Sequence, residues 1–450
     1  MTYICAACID EPRLKELVLL ESSDDQPCEY CEGIEPTVEL DFIADKCEDV
    51  LATFYEVSSQ TMAVQVYDQL PSGKSLEATV AELIGAPDEA IEAITEILDF
   101  RWYDRDSGEY QYGEDPWFIP SARMESPLSL QWEMIESSLR NEGRFLNPKV
   151  AHFMDTVFGG VMNDVADNRL PVLVDAGPGT RYEALYRARV FQSEKSVLDA
   201  LEHPERFLGA PPVGVGMSGR MNAAGQPAFY GATDVTTTLT EVRPVVGSWV
   251  VAAKFSIDRP LKLLDLRLLG KVVLPETASL FDEATKVAAQ RRDFLRKFCN
   301  EMILPVMPER QDQSYLVTQV IANYLATHPL ASIDGIIYPS VQRGGNDCVD
   351  AGENVVLFYK AATTVNADSD DPTAYAQLRH YDHDGPDHYF SPAIVFLDVK
   401  PKPLWYKKDD LHISPALSLV RDSIEIHEIM SVQITSKVSS VDVGEQHFNH

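Results

Sequence analysis

The chain is short of positive charge. Its 450 residues hold 38 lysines and arginines against 70 aspartates and glutamates, a formal net charge of -32. Nucleic-acid binding rests on clustered cations that neutralise phosphates, so this balance argues against a nucleic-acid partner. The same field disfavours anionic membrane surfaces. The deficit is uneven, because residues 1–150 carry 32 acidic and 10 basic side chains. No apolar run approaches the roughly 18 residues a membrane span needs, so no membrane partner is expected. The opening stretch, MTYICAACIDEP, has neither a basic nor an apolar segment, so it does not read as a secretory signal, and a cytoplasmic location is expected. Cysteine is scarce as well. Seven residues, an odd number with four in two close pairs, argue for metal rather than a disulfide framework.

Apolar residues make up 45% of the chain, enough for a sizeable core, and the length leaves room for about three domains. The predicted class is α+β: an N-terminal zinc-binding and helical domain, then a mixed α/β domain and a β-rich tail. The divisions fall at 1–36 (the cysteine segment), 37–170 (acidic and helical), 180–362, and 363–450 (a mobile loop and a β-rich tail). Helical stripes run through Leu76, Val80, Leu83 and Ile84, then Ile91, Ile94, Ile97 and Leu98, with a break at residues 85–88. Residues 99–128 read as a loop, and two more helices are predicted at about 129–142 and 148–165. Further on, strands are predicted at 249–257, 261–266, 336–338 and 355–358, and helices at 279–303 and 314–327. Residues 361–388 read as a mobile polar loop. The final 391–443 alternates like strands (AIVFLDV, DSIEIHEI, SVQITSKV).

Cys5, Cys8, Cys28 and Cys31 form CxxC-x19-CxxC. Each CxxC turn sets two thiolates on one side of a tight loop, and two such turns complete a tetrahedron, the geometry zinc favours. A closed four-thiolate site leaves no open position, so a structural Zn2+ is expected. Cys47, Cys299 and Cys348 stand alone.

The middle of the chain carries the chemistry. It reads Tyr-Arg-Ala-Arg at 186–189, GVGMSGRMNAAGQPAFYGATDVTTTLTEVRPVVGSWVV at 214–251, DGIIYPSVQRGG at 334–345 and ENVVLFYK at 353–360. Arg220, Tyr230 and Glu241 are spaced with nine and ten residues between them. Over about 185–362 this resembles the RES domain. Residues 132–148 with the cysteine pairs also resemble, more weakly, the zinc-containing HEPN-like domain that precedes RES in some bacterial proteins. Arg144 and His152, however, have seven residues between them rather than the four to six of HEPN ribonucleases.

The resemblance implies an ADP-ribosyltransferase-like fold that takes NAD+ as substrate and degrades it by hydrolysis or phosphorolysis. It implies a bacterial toxin or defence effector, commonly paired with an Xre-type antitoxin; a homo-oligomer is also open. The alternatives are a protein ADP-ribosyltransferase or a catalytically silent interaction protein. The residue types suit glycosidic cleavage. A carboxylate, here Glu241, can stabilise an oxocarbenium-like ribose. Arg220 can grip a pyrophosphate in a bidentate fork, with Arg187 as second candidate. Arg189 lies two positions on, on the same strand face, so either could reach the pocket. The Tyr230 ring can stack on the pyridinium. By the family match, the Ser340 hydroxyl would bond nicotinamide or ribose.

Three features read as structural. The GxGxxG at 214–219 lacks the strand before and helix after that a dinucleotide fingerprint needs. HYDHDGPDH at 380–388 reads as a solvated loop, and Arg291, Arg292, Arg296 and Lys297 read as a surface helix face.

Overall fold

The computed structural model describes residues 2–22, 26–31, 33, 35–58, 71–121, 126–142, 147–303, 311–328, 332–343, 352–365, 367, 369, 371–381, 388–398, 415–433, 436, 438–439 and 441. The chain opens with β1 (Tyr3–Cys5), α1 (Pro12–Glu21), β2 (Thr37–Glu39), α2 (Leu40–Phe54), β3 (Tyr55–Val57), β4 (Lys74–Ser75), α3 (Leu76–Ile84) and α4 (Asp88–Trp102). It continues with β5 (Tyr103–Asp104), β6 (Glu109–Tyr110), β7 (Trp117–Pro120), α5 (Pro127–Asn141), α6 (Pro148–Phe158), β8 (Leu173–Ala176), β9 (Ala184–Phe191), α7 (Glu194–Glu202) and α8 (Pro204–Leu208). Then come β10 (Phe229–Ala232), α9 (Val235–Glu241), β11 (Trp249–Ile257), β12 (Leu261–Asp265), α10 (Leu266–Leu269), α11 (Glu283–Ile303) and α12 (Gln311–Ala326). The last elements are β13 (Gly335–Pro339), β14 (Glu353–Leu357), β15 (Ala374–Tyr381), β16 (His388–Phe396), β17 (Leu417–Leu419) and β18 (Glu425–Glu428). This is a mixed α+β chain in two compact units. The first comprises Met1–Val157, Asp164–Leu170 and Gly270–Asn300, and the second Phe158–Asn163, Pro171–Leu269 and Glu301–His450.

The first unit is mainly helical. α2 buries Leu40, Ile43, Ala44, Cys47, Val50 and Leu51, and α4 buries Ala90, Ile91, Ile94 and Leu98. Spacings of three and four put each set on one helix face, and the two faces share a core. Between them, the Ser75 hydroxyl caps α3 by accepting from the Ala78 N–H at 3.3 Å. Gly85 ends that helix at φ +57, and a Cβ there would come within 2.7 Å of the Asp10 Cβ. A second cluster stacks Trp132 of α5, Phe153 of α6 and Phe294 and Phe298 of α11, with ring centroids 5.5–6.0 Å apart.

The basic run on α11 is solvated only in part: Arg296 and Lys297 are exposed, whereas Arg291 turns inward. Arg291 makes a bidentate pair with Asp164, at 2.8 and 2.6 Å, and its Nε donates to the Val157 carbonyl at 2.6 Å. Both side chains are mostly buried, 15% and 11% exposed. Arg292 and Arg296 both reach Asp293, itself buried. The acids that satisfy Arg291 lie 127 positions away in sequence, beyond any local pattern. Arg291→Met would strand the Asp164 carboxylate and is expected to cost about 3 kcal/mol of stability. Urea unfolding of the variant beside the parent checks this, and a difference below about 1 kcal/mol would mean that the pair contributes little.

The second unit is built on a nine-stranded sheet in the order β17-β11-β9-β10-β14-β13-β12-β8, with β18 also pairing β11. β12 and β13 run parallel and the other neighbours antiparallel. β11, WVVAAKFSI, is buried along nearly its whole length, as expected for a central strand rich in β-branched and aromatic residues. Phe229, Phe255, Leu263, Ile337 and Leu357 anchor the core on one face of the sheet.

Several sequence expectations need correction. Residues 99–128 are not one loop, because α4 runs through Trp102 and β5, β6 and β7 follow. Trp102, Tyr112 and Phe118 pack on one another there, at 4.7–6.1 Å between centroids, so aromatic contacts order segments too short to show a period. The helix expected over 148–165 ends at Phe158. Part of the polar stretch 361–388 is strand: β15 pairs with β16 from Ala374 opposite Phe396 to Tyr381 opposite His388. Its buried face is only Ala374 and Leu378, too sparse to reveal the alternation. SVQITSKV forms no strand among its described residues.

Candidate active site

The cavity of interest arises where two strands part. β9 pairs with β11 along its length, from Ala184 opposite Ser256 to Phe191 opposite Trp249. With β10 it shares one register pair, Ala232 opposite Tyr186, whereas β10 stays paired with β14 throughout. The divergence of β9 from β10 opens a cavity of about 300 Å³, with Arg187, Tyr230, Thr238, Glu241, Tyr338 and Asn354 in its walls. That volume is typical of small-molecule sites.

Glu241 is the last residue of α9. Asp234 starts that helix, accepting from the Thr237 N–H at 2.8 Å and the Thr237 hydroxyl at 2.7 Å. A carboxylate at a helix C-terminus meets the partial negative charge of the last carbonyls and needs donors to offset it. Two are supplied, both to Oε1: the Ser340 hydroxyl at 2.7 Å and the Asn354 Nδ2 at 2.8 Å. Ser340 is fully buried, and its N–H donates to the Gly352 carbonyl at 2.7 Å. A Cβ on Gly352 would fall 1.7 Å from the Thr237 Oγ1, so only glycine lets this turn approach α9. No hydrogen bond to Oε2 of Glu241 is found among the described residues.

Tyr230 is held at its tip. Its hydroxyl donates to the Asn222 Oδ1 at 2.8 Å and accepts from the Met221 N–H at 2.9 Å. Asn222, buried itself, uses its Nδ2 to tie down the carbonyls of Met217, Ala223 and Gln226. Burial pushes the Tyr230 phenol up to about 12, so it stays a neutral donor at physiological pH. Tyr338 is displaced the same way, by burial first and by the Glu241 charge second.

Two arginines border this region. Arg187 lines the cavity with its guanidinium 5.0 Å from the centre of the Phe229 ring. Its Nη1 is buried without a hydrogen-bond partner among the described residues. Burial, and then the neighbouring Arg189 charge, push its proton affinity down. Arg189 is not among the cavity walls. Nor is Arg220, whose Nε is buried without a hydrogen-bond partner among the described residues. Burial lowers its proton affinity too, partly offset by Tyr338, Tyr315, Tyr230 and Glu241. The Arg220 carbonyl accepts from the Thr318 hydroxyl of α12, and its Nη2 donates to the Glu301 carbonyl at 3.4 Å. Guanidinium groups do not shed their proton in proteins. Buried cationic N–H groups without partners therefore suit an anionic ligand.

Of the sequence candidates, Arg187, Tyr230 and Glu241 meet in the walls; Ser340 bonds Glu241, and Arg220 is near enough to feel the Glu241 charge, but neither is among the wall residues. The Ser340 hydroxyl is engaged by Glu241 rather than pointing to open space. Sequence reasoning did not single out Asn354, Asn222 or Tyr338. Asn354 left one trace, a polar residue directly before the apolar run VVLF. At the GxGxxG stretch, Gly219 is not in a fingerprint turn; its N–H bonds the Asn222 carbonyl. His380 is exposed, while His383, the His388 side chain, Arg144 and Cys348 lie outside the described residues. His152 is exposed on α6.

The four paired cysteines converge in the first unit. Their sulfurs all lie within 4.8 Å of one another, with Cys5–Cys31 at 3.5 Å and Cys5–Cys8 and Cys8–Cys28 at 3.8 Å. Tetrahedral Zn–S bonds of about 2.3 Å require S···S edges of about 3.8 Å, so the set fits a four-thiolate metal site. The Cys5 N–H points at the Cys28 sulfur and the Gly33 N–H at the Cys31 sulfur, both at 3.4 Å, outer-shell donors that suit thiolates. Cys47 is buried in the core and its thiol is pushed up to about 12, which makes it inert.

No curated protein and no solved structure matches the chain significantly. Residues 184–378, which contain β9, β10, α9, β13 and β14 and so every wall of the cavity named above, match the family model of the RES domain.

Proposed function

We propose that this chain cleaves the bond between nicotinamide and ribose in NAD+, with water or phosphate as acceptor. The observation that carries this reading is the pairing, in one cavity, of a carboxylate fixed through Oε1 with a buried arginine that has an unpartnered N–H. Departure of nicotinamide neutralises its pyridinium and leaves an electron-poor ribose. Oε2 of Glu241 stabilises that positive charge as it develops, where preorganised electrostatics act most strongly. Arg187 and Arg220 hold the pyrophosphate, and the Tyr230 ring supports the pyridinium. Ser340 acts through Glu241. The four-cysteine site holds a structural Zn2+ through Cys5, Cys8, Cys28 and Cys31. By the family resemblance, such an activity would be toxic in a cell and held in check by an Xre-type antitoxin.

The test is nicotinamide release from NAD+ by the purified chain, with and without phosphate. Release is expected, and its phosphate dependence names the acceptor. Release accompanied by labelled protein would instead assign ADP-ribose transfer. A folded chain that releases none overturns the reading.

A further inference from the structure

The Asn354 side chain adds a component that neither the triad spacing nor the family match assigns. It sits on β14, which is paired on both sides: Asn354 lies opposite Tyr338 on β13 and opposite Ala232 on β10. Every residue of β14 is buried, so the backbone that presents this amide cannot drift. A carboxylate only accepts hydrogen bonds, so the amide nitrogen must face it. Asn354 reaches Glu241 from β14 and Ser340 from the residue just past the end of the adjacent β13, and both donate to the same oxygen.

We propose that Asn354 is a positioning residue that, with Ser340, clamps Oε1 of Glu241 so that Oε2 is turned to the ribose. The inference rests on the glycosidic-cleavage reading for its consequence and on the hydrogen-bond geometry for its substance. Two donors on one oxygen fix both the rotation of the carboxylate and its distance from the sheet, where one donor would leave it free to swing. The clamp also supplies the donors that a carboxylate at a helix C-terminus lacks. Although Asn354 is among the cavity walls, its amide nitrogen is committed to Glu241, so its loss is expected to alter the rate of the chemical step more than substrate binding.

Asn354→Ala is expected to lower kcat for nicotinamide release on the order of 10- to 100-fold, the scale of a misplaced catalytic group, with KM within about threefold of the parent. Asn354→Asp sets a second carboxylate against Glu241, and like charges at that range cannot both stay ionised. Its activity is therefore expected to recover as pH falls, unlike that of Asn354→Ala. Thermal unfolding separates these effects from misfolding. A fully active, stable Asn354→Ala overturns the proposal, and so does a rise in KM alone, which would make Asn354 a ligand contact.

A second measurement needs no turnover. In protein labelled with 15N-asparagine, the side-chain amide signal missing from Asn354→Ala is expected to move in Glu241→Ala and in Ser340→Ala. An unmoved signal overturns the contact. If the parent chain releases no nicotinamide, the functional reading fails and the amide signal alone decides the clamp.

Discussion

Glu241→Gln is expected to lower nicotinamide release on the order of 10³-fold while leaving NAD+ binding nearly intact. Glutamine keeps the shape of the side chain and can still accept from Ser340 and Asn354, so the cavity survives. It cannot carry the negative charge that meets an electron-poor ribose. The stabilisation lost is one realised in the transition state, so kcat falls and KM does not. Single-turnover kinetics with isothermal binding checks this. A loss under tenfold would transfer the role to another group, and weaker binding with unchanged kcat would make Glu241 a recognition residue.

The largest effect on stability is expected at the cysteine cluster. Cys28→Ser should abolish metal binding and lower the thermal midpoint of the first unit by about 10 °C or more. Structural zinc sites contribute many kcal/mol to folding, and each kcal/mol shifts a unit of this size by a few degrees. The cluster ties Cys5, at the end of β1, to Cys28 beside β2, and β1 pairs only with β2. This corner buries Ile4, Ala6, Ile9, Leu14, Val18 and Val38. These side chains belong to the same core as those of α2 to α4, so loss of the metal is expected to loosen that core as well as the corner. Elemental analysis giving about one zinc per chain, falling to none in the variant, would support this. A metal-free parent as stable as the variant would refute a structural role.

Legibility in the sequence tracked the range of the interaction. The stripes of α3 and α4 were readable because helix periodicity is written within a dozen residues. β15 was not, because its partner is a neighbouring strand and its buried face is sparse, with Ala374 and Leu378 among the described side chains. The ion pair of Arg291 escaped for the same reason, and a solvated face was the natural reading of four adjacent cations.

The same division runs through the candidate site. By itself the sequence determined the spacing of Arg220, Tyr230 and Glu241, the spacing of the cysteine pairs, and the segment that carries the RES pattern. Each is a property of order along the chain. Only the tertiary structure decided that β9 and β10 part to open a cavity, and that Arg187 rather than Arg189 lines it. It alone brought Ser340 and Asn354, 99 and 113 positions from Glu241, onto one carboxylate oxygen. A hydrogen bond needs its partners within about 3 Å and well aligned. For groups so far apart in sequence, that alignment comes from strand register and helix packing, which no local pattern of residues records.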